Sequence, residues 1–307
     1  MLTKKAILAS IGNLARKKYG MSYNDELIVS ESLVQPLLES SESNLRKFAS
    51  ITLGQSASYG GHPDYNYLKE NIGQTATGST TALFFDLKNF TKYAKVLDLK
   101  KVYEAKAASI EAVINVCYLY GGHLHEIPGD GVLMFFGGKN CDAQLQCYYA
   151  LYAAADSMNL LEEIVIPEYN SEEEYPDIYP KMGIDFGESL WGAYGASPNY
   201  EVKATSFYVD IASKMMNGCG SRSILVGDNL KTTLDIEDYF SKAGWEYHKQ
   251  MTVNGKTVNI DYNAWEFDWK KFRSKIMKED TELTNLLDFP QTSPIRSRTI
   301  LQDAPLA

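Results

Sequence analysis

TALFFDLKNFT, residues 81–91, predicts a strand that ends in a carboxylate. Leu83, Phe84 and Phe85 form a short apolar run, and Asp86 follows at the point where the strand leaves the core. The residues after Asp86 predict a helix, whose first backbone N–H groups would face whatever that carboxylate binds. A carboxylate beside free N–H groups suits a divalent cation that carries phosphates. The alternative interpretation is a turn or helix-capping aspartate.

GGHLHEIPGDGVLMFFG, residues 121–137, predicts a β-hairpin. Two apolar strands flank Pro128–Gly131, so glycines stand on both sides of Asp130 at the tip. The residues between the two aspartates, 100–120, have apolar side chains at helical spacing. A right-handed crossover through this helix would lay the hairpin beside the first strand. Asp86 and Asp130 would then share two metal ions roughly 3.5–4 Å apart.

Three motifs in this order resemble the class III nucleotidyl cyclase catalytic domain. They are FFDLKNFT at 84–91, GDGVLMFFG at 129–137 and VDIASKM at 209–215. Each motif alone is a weak signal, but their order and spacing together are specific. The resemblance extends over about residues 79–267. It implies an α+β fold, a class III cyclase with a ferredoxin-like βαββαβ core.

The chain of 307 residues is expected to have three parts. Residues 1–78 form a helical N-terminal extension and linker, residues 79–269 the nucleotidyl cyclase catalytic domain, and residues 270–307 a polar C-terminal tail. A C-terminal β-hairpin that turns at Asn254 and Gly255 closes the catalytic domain. Other segments are predicted as an amphipathic helix at 142–158, an irregular acidic loop at 164–180, a strand, turn and strand at 181–195, and a connection at 200–206.

The linker contains the segment HPDYNY, residues 62–67, close to two turn-forming glycines. His62, Asp64 and Tyr65 either line a pocket or belong to an ordinary linker that wraps the domain. A His-Pro-Asp-aromatic segment before the metal strand is similar to the bacterial pyrimidine cyclases of Pycsar antiphage defence. The architecture without a sensor or membrane domain resembles those enzymes as well.

Composition excludes several classes of protein. A net charge of −9 argues against broad nucleic-acid binding, which needs a basic surface. The four cysteines show no C-x-x-C spacing, which indicates free thiols in a reducing compartment rather than a zinc site. No apolar run reaches the roughly 18–20 residues of a membrane span. A soluble, cytoplasmic protein is therefore expected.

The resemblance implies two Mg²⁺ or Mn²⁺ ions per site, held by carboxylates and phosphate oxygens. Asp86 and Asp130 are expected to bridge both ions, and the Leu87 carbonyl is expected to add a ligand. Cyclisation requires the ribose 3′-oxygen to attack the α-phosphate in line and to expel pyrophosphate. Further substrate contacts are expected at Phe90 and Thr91 in the loop after Asp86, and at Lys256 after the final hairpin turn.

Two residues on the later helix correspond to the transition-state residues of the family. The family has Asn and Arg four positions apart, and this chain has Asp210 and Lys214. The spacing keeps both side chains on one helix face. Lys214 keeps the positive charge but lacks the bidentate fork of arginine, and Asp210 can accept a hydrogen bond from a ribose hydroxyl. The alternative is an ion pair between these two residues within the helix.

The resemblance implies base recognition at Glu126, because the family reads the base from the position four residues before the hairpin aspartate, here Asp130. A glutamate needs a donor edge: cytosine N4–H₂, uracil N3–H, or guanine N1–H and N2–H₂. Adenine also has a donor at N6, so Glu126 alone does not exclude ATP. The second base-reading position falls at Lys203 or Thr205, because an insertion there blurs the alignment. His123 and His125 alternate on the same strand and are interpreted as sheet-face residues.

The preferred hypothesis is a pyrimidine nucleotide cyclase that makes cyclic CMP or cyclic UMP as a signal for a separate effector protein in antiphage defence. In the family, the metal carboxylates and the base-reading residues come from different subunits. The chain has both sets, so a symmetric homodimer with two shared sites is implied. The alternatives are a guanylyl or adenylyl cyclase of ordinary signalling, and a non-catalytic nucleotide sensor suggested by the departures at Asp210 and Lys214.

Overall fold

The computed structural model describes residues 62–139, 141–170, 175–234 and 236–278. Most of the predicted N-terminal extension and of the C-terminal tail lies outside these residues. The side chains of Leu119 and of residues 275–278 are likewise outside the description. The fold is therefore that of the central part of the chain.

Eight strands and six α-helices make up the described fold. The first half contains β1 (Thr75–Leu87), α1 (Leu99–Leu119), β2 (His123–Glu126), β3 (Gly131–Gly137), α2 (Ala143–Leu160), α3 (Ile166–Asn170) and β4 (Pro180–Ala196). The second half contains β5 (Asn199–Thr205), α4 (Phe207–Gly218), β6 (Ser223–Gly227), α5 (Asp228–Thr233), β7 (Phe240–Val253), β8 (Lys256–Phe267) and α6 (Trp269–Lys278). Short 3₁₀ turns lie at Pro63–Lys69, Phe90–Lys95 and Glu237–Tyr239.

All eight strands form one mixed sheet with the order β2-β3-β1-β4-β6-β8-β7, and β5 pairs with the outer part of β4. β1 is antiparallel to both of its neighbours, and only β4 and β6 are parallel. The elements β1-α1-β2-β3-α2-β4 follow each other as predicted, with β1 central among the first four strands. The prediction of a ferredoxin-like α+β core followed by a hairpin is confirmed.

The sheet separates two hydrophobic cores, because alternate residues of a strand point to opposite faces. One core, beneath α1 and α2, receives Leu83, Phe85 and Leu87 of β1. The other core, which includes α4, receives Ala82 and Phe84. Asp86 continues the second set, so its side chain belongs to the face that α4 covers.

Two glycines allow α4 to lie directly on β4. A Cβ atom on Gly183 would overlap the Ala212 carbonyl oxygen of α4, and one on Gly187 would overlap the ring of Tyr208. Close approach of two backbones needs residues without side chains. The prediction of a turn within residues 181–195 was therefore wrong: these glycines make room for a helix, and β4 continues without interruption to Ala196.

Two other segments differ from their predictions. Residues 164–180 were predicted as a loop, but a π-helical turn at Leu161–Val165 and then α3 continue the helical chain to Asn170. Apolar residues in this stretch are buried, and that burial outweighs its acidic composition. Residues 200–206 were predicted as a connection, but residues 199–205 are β5, which pairs along β4.

The folded unit extends beyond both predicted ends of the catalytic domain. β1 begins at Thr75 and already pairs there with Gly192 of β4. At the other end, Phe272 of α6 is 2% exposed, and the Arg273 guanidinium lies 2.8 Å from the Asp156 carboxylate. The first residues of the predicted tail therefore form a packed helix.

The predicted state of the thiols is observed. Cys117, Cys147 and Cys219 are buried, Cys141 is half-buried, and all four are free. None of the helices within the described ranges has the length and hydrophobicity that crossing a bilayer requires.

Candidate active site

The structure brings the two predicted metal carboxylates together at one end of the sheet. Asp86 is the penultimate residue of β1, and its register partner on β3 is Gly131. Asp130 immediately precedes that partner. Burial raises the pKa of the Asp86 carboxyl, the Lys181 ammonium opposes this shift, and the nearby Asp130 charge adds to it. The two carboxylates therefore lie close enough to repel each other.

Lys181 is a site residue that the sequence did not reveal. It stands directly opposite Asp86 in the β1–β4 pairing, and its ammonium lies 2.9 Å from that carboxylate. Only 6% of Lys181 is exposed, so this is a buried ion pair. The alternation of buried Met182, Ile184 and Phe186 placed Lys181 on the opposite face of β4. The register with β1, which a single sequence does not supply, was also needed to find the pair.

The loop after β1 contributes a hydroxyl and backbone groups. The Thr91 hydroxyl donates to the Asp130 carboxylate at 3.5 Å. The ring of Phe90 is only 2% exposed and packs against Tyr93, so only its backbone could contact a substrate. The predicted substrate contact at Phe90 is thereby restricted to its backbone. The Leu87 side chain is also buried, which leaves its backbone carbonyl as the atom for a ligand role.

The tip of the β2–β3 hairpin is held by α1. The Lys106 ammonium donates to the Gly129 carbonyl at 3.3 Å, next to Asp130. A cavity of about 500 Å³ lies beside this contact, lined mainly by side chains of α1 and by Ile127. Two of its lining residues, Tyr103 and Ile127, are exposed, as are Val96 and Leu99 at and before the start of α1.

Asp210 and Lys214 are both exposed on α4. The alternative interpretation, an ion pair between them, is not formed within the described part of the chain. The Lys214 ammonium instead lies 5.9 Å from the ring centre of Tyr247 on β7. β7 is the edge strand on the far side of the sheet from β1. Lys214 is thus directed away from Asp86 of its own chain.

Glu126 and Lys203 meet across the sheet face. The Lys203 ammonium lies 2.6 Å from Glu126 and 3.1 Å from Glu201. Burial lowers the pKa of Lys203, but the two carboxylates outweigh this effect and raise it above its ordinary value. Thr205, the other candidate, hydrogen-bonds Tyr194 instead. Of the two candidates, Lys203 is therefore the one that contacts Glu126.

The residues predicted for metal binding form an oxygen-rich set. Among the described residues, no group of three or more His, Cys, Asp or Glu side chains gathers as a metal site. Asp86 and Asp130 supply two carboxylates, so an ion there would need further oxygen ligands from a backbone carbonyl, water or phosphate. Hard divalent cations prefer such ligands.

Comparisons with known proteins bear on the family. No protein-family model matches the chain. It is 31% identical over 225 residues to a cytidylate cyclase of Staphylococcus aureus, and the aligned region covers 71% of this chain and 52% of that protein. It is 34% identical over 191 residues to a cytidylate cyclase of Escherichia coli, which covers 59% of this chain and 41% of that protein. The chain spans about half the length, or less, of the curated relatives it matches.

Solved structures give the same result for the fold. The crystal structure of the guanylyl cyclase Cya2 aligns at a TM-score of 0.50 with 19% identity, covering 62% of this chain and 92% of that chain. The described part of the chain has the fold of the class III nucleotidyl cyclase domains, and the sequence is similar to cytidylate cyclases. At this identity the structural alignment speaks for the fold alone.

Two histidines of the cyclase domain are confirmed as sheet-face residues. Burial lowers the pKa of His123 to about 3 and that of His125 to about 4, so both imidazoles are neutral. The His125 ring packs edge-on against Phe135. A charged role for these rings is not supported.

Lys256 lies at the tip of the final hairpin, where Asn254 and Gly255 form the predicted turn with positive φ angles. Asp86 pairs with Lys181, β4 runs parallel to β6, and β8 runs antiparallel to β6. These pairings place Asp86 level with the end of β8, so Lys256 at the start of β8 is roughly 30–40 Å away along the strand direction. Within one cyclase domain, Lys256 and Asp86 are therefore at opposite ends of the sheet.

Proposed function

We propose that this chain is a nucleotidyl cyclase that converts CTP or UTP into the 3′,5′-cyclic monophosphate and pyrophosphate. The observation that carries the proposal is the meeting of Asp86 and Asp130 at one end of a class III cyclase sheet. The similarity to two cytidylate cyclases supports the pyrimidine substrate.

Two Mg²⁺ or Mn²⁺ ions are proposed to bind the Asp86 and Asp130 carboxylates and the Leu87 carbonyl. The donor set fits such ions, because two neighbouring carboxylates offer oxygen ligands and negative charge to a hard divalent cation. When bound, the ions would lower the pKa of the ribose 3′-hydroxyl and gather the β- and γ-phosphates.

The reaction forms a bond between the ribose 3′-oxygen and the α-phosphorus and breaks the bond from that phosphorus to the bridging oxygen. Pyrophosphate leaves, and the hydroxyl proton passes to water. Lys181, beside the carboxylates, would offset phosphate charge from within the same chain. Lys214 would offset charge on the α-phosphate, and Asp210 would accept a hydrogen bond from a ribose hydroxyl and so orient the sugar. Thr91 and the backbone of Phe90 would border the phosphates.

Two copies of the chain are proposed to share each site. Lys214 and Lys256 of one copy lie away from Asp86 of the same copy, so a second copy must supply the partners of these carboxylates. A two-fold dimer of identical chains would then form two equivalent sites. Glu126 and Lys203 would read the base in the same shared cleft.

The β7–β8 ribbon, residues 246–263, supports this arrangement because its two faces differ. Its register places six apolar or aromatic residues and two lysines on one largely apolar face: Tyr247, Lys249, Met251, Val253, Lys256, Val258, Ile260 and Tyr262. The opposite face is polar and closed by its own bonds, such as His248 to Asp261 at 2.6 Å and Gln250 to Asn259 at 2.9 Å. Met251 and Val258 are 47% and 45% exposed. A second copy would cover this apolar face with its exposed apolar residues on and around α1.

Glu126 would accept hydrogen bonds from the donor edge of the base, and Lys203 would donate to a carbonyl oxygen of a pyrimidine or of guanine. The cyclic nucleotide is proposed to act in the cytoplasm as a second messenger of antiphage defence, sensed by a separate effector protein. A guanylyl cyclase is the second candidate, since Glu126 also fits the N1–H and N2–H₂ edge of guanine.

The decisive experiment incubates the purified protein with Mn²⁺ and each of the four nucleoside triphosphates, and separates the products by chromatography. We expect cyclic CMP or cyclic UMP with stoichiometric pyrophosphate, and no product from Asp130→Ala. Cyclic GMP or cyclic AMP as the main product would overturn the pyrimidine assignment. Nucleotide binding without pyrophosphate release would instead identify a non-catalytic sensor.

A further inference from the structure

Residues 62–69, here called the clasp, lie outside the βαββαβ core and cross the face of the sheet. His62 is 2% exposed, and its Nε2 lies 2.8 Å from the Gly137 carbonyl oxygen. Its Nδ1 accepts the backbone N–H of Asp64 at 3.2 Å. Both ring nitrogens are thereby used by a neutral imidazole, and burial lowers the pKa of His62 accordingly.

The clasp grips the end of β3. The Asp64 carboxylate accepts the backbone N–H of Lys139 at 2.9 Å. A Cβ atom on Gly138 would overlap this carboxylate and would stand 2.8 Å from the His62 ring. The positive φ of 149° at Gly138 also favours glycine. The motif His-Pro-Asp therefore attaches the segment to the β3 end of the sheet.

The next residue of the clasp, Tyr65, holds a tryptophan of β4. Tyr65 is fully buried, and its ring stacks on Trp191 at a centroid distance of 4.5 Å and an angle of 9°. The Tyr65 hydroxyl has no hydrogen-bond partner among the described residues. Packing of the ring, and not its hydroxyl, is therefore what Tyr65 contributes.

Trp191 stands between the clasp and the proposed base-reading pair. On β4 and β5, Trp191 pairs with Ala204, and Gly192 pairs with Lys203. On β2, the His125 ring next to Glu126 lies 6.1 Å from the Trp191 ring. Both members of the Glu126–Lys203 ion pair are thus one residue away from a group that contacts or pairs with Trp191.

The arm formed by residues 192–205 of β4 and β5 depends on such anchoring. Beyond Gly192, β4 pairs only with β5, and Tyr194 is 52% exposed. An isolated two-stranded ribbon is marginally stable in water. The stack at Trp191, the burial of Val202 in the same core and the ion pair at Lys203 hold the arm in place.

We propose that the clasp is a positioning element for base selection: Tyr65 acts through Trp191 to hold Lys203 against Glu126. This inference rests on the proposed function, in which that pair reads the base. No residue of the clasp touches the reacting atoms. Its loss would therefore relax discrimination among nucleotides more than it slows the chemical step.

The test compares Tyr65→Ala with Tyr65→Phe, and uses Tyr67→Ala as the matched control, because Tyr67 lies in the same segment and is 46% exposed. Values of kcat and KM are measured for all four nucleoside triphosphates. We expect Tyr65→Ala to reduce the ratio of kcat/KM between the preferred and the next nucleotide about tenfold, mainly through KM. Tyr65→Phe and Tyr67→Ala should keep that ratio. An equal loss of kcat for all nucleotides would overturn the proposal.

A second background keeps the test sharp if Tyr65→Ala is unstable. In Lys203→Met, the clasp has no lysine to position, so adding Tyr65→Ala should reduce discrimination no further. If the two substitutions reduce discrimination additively, the clasp does not act through Lys203. Trp191→Phe can replace Tyr65→Ala as a milder substitution in the same double-mutant cycle.

Amide hydrogen exchange gives a readout that needs no catalysis. We expect faster exchange in β5, residues 199–205, for Tyr65→Ala but not for Tyr65→Phe. Unchanged amide exchange in β5 of Tyr65→Ala would overturn the proposed role of the clasp, even if the protein is an active cyclase. Faster exchange in a protein without cyclase activity would instead support the clasp and refute the proposed function.

Discussion

The two halves of the proposed reaction site are built differently. Asp86 and Lys181 form a buried ion pair within one chain, at the centre of the sheet. Asp210 and Lys214 are exposed on α4, and Lys214 faces an aromatic ring near the sheet edge. The first half is complete in a single chain, whereas the second displays its charges on the surface. Under the proposed function, one copy would supply the complete metal-binding side of a site, and a second copy would have to complete its phosphate-binding side.

The strongest way to break this comparison is to mix inactive copies. Asp130→Ala and Lys214→Ala should each lose nearly all cyclase activity, by about 10²–10³-fold or more, because each removes charge at the phosphates. In an equimolar mixture, half of the dimers are mixed and each has one intact site. The mixture should therefore recover about a quarter of wild-type activity in a product assay.

The control for this experiment is the mixture of Asp130→Ala with Asp86→Asn, which damages the same half twice and should recover nothing. Absence of recovery in the first mixture, with both proteins folded and dimeric, would show that each site is built within one chain.

Removing Lys181 tests the buried half. Lys181→Met leaves the Asp86 carboxylate without its cation, so we expect a loss of about 3–5 kcal/mol in the free energy of unfolding near neutral pH. The pKa of Asp86 is already raised in the folded state and should rise further. A carboxyl group whose pKa is raised in the folded state stabilises the fold at low pH, and this stabilisation is lost as pH rises. The loss of unfolding free energy in Lys181→Met should therefore be smaller at pH 4 than at neutral pH.

Urea unfolding at pH 4 and pH 7.5 measures this deficit. Lys242→Met is the matched control, since Lys242 forms an ion pair with Glu246 and its side chain is 63% exposed. Surface pairs contribute roughly 0–1 kcal/mol, so the control should change little. Equal losses of unfolding free energy for the two substitutions would contradict the buried character of the Asp86–Lys181 ion pair.

Asp185 of β4 provides a second buried carboxylate to compare with Asp86. Unlike Asp86, it has no cation partner in the described residues. It accepts hydrogen bonds from the Tyr262 hydroxyl at 2.8 Å and from the backbone N–H of Phe186 at 2.9 Å. Burial raises its pKa to about 7 from an ordinary 3.8. The unfolded chain therefore ionises first, and the folded state is destabilised progressively as pH rises from about 4 to 7.

Asp185→Asn should remove this part of the pH dependence. Relative to wild type, we expect the variant to gain about 2–4 kcal/mol of unfolding free energy between pH 4 and pH 8. Asp238→Asn, at an exposed carboxylate, should follow wild type. A constant difference between Asp185→Asn and wild type across this range would show that Asp185 titrates in the folded state as in the unfolded chain.

Local sequence was enough to predict that Asp86 and Asp130 lie close together at one end of the sheet. The apolar run before Asp86 and the glycines around Asp130 identify a strand end and a hairpin tip, and their order places them side by side. Lys181 was missed because its meaning depends on a partner in another strand. The clasp was left open between pocket and linker for the same reason, since His62 and Tyr65 contact residues far along the chain.

The glycines of β4 show a different limit. The sequence predicted a strand, a turn and a strand over residues 181–195, and it gave no role to Gly183 and Gly187. Their actual role is to admit α4, which only three-dimensional packing reveals. The contact between Lys203 and Glu126 likewise depends on how distant strands are arranged in space, which a single sequence leaves undetermined.

The same close approach of α4 to β4 has a consequence for motion. At Gly183 the strand backbone meets the Ala212 carbonyl of the helix, and at Gly187 it meets the ring of Tyr208, so the helix lies directly against the strand at both positions. Asp210 and Lys214 must therefore travel with β4, and with it Lys181, as one rigid body. If the cleft closes around its substrate, we expect the hinge to be the contact between two copies rather than any joint inside either one.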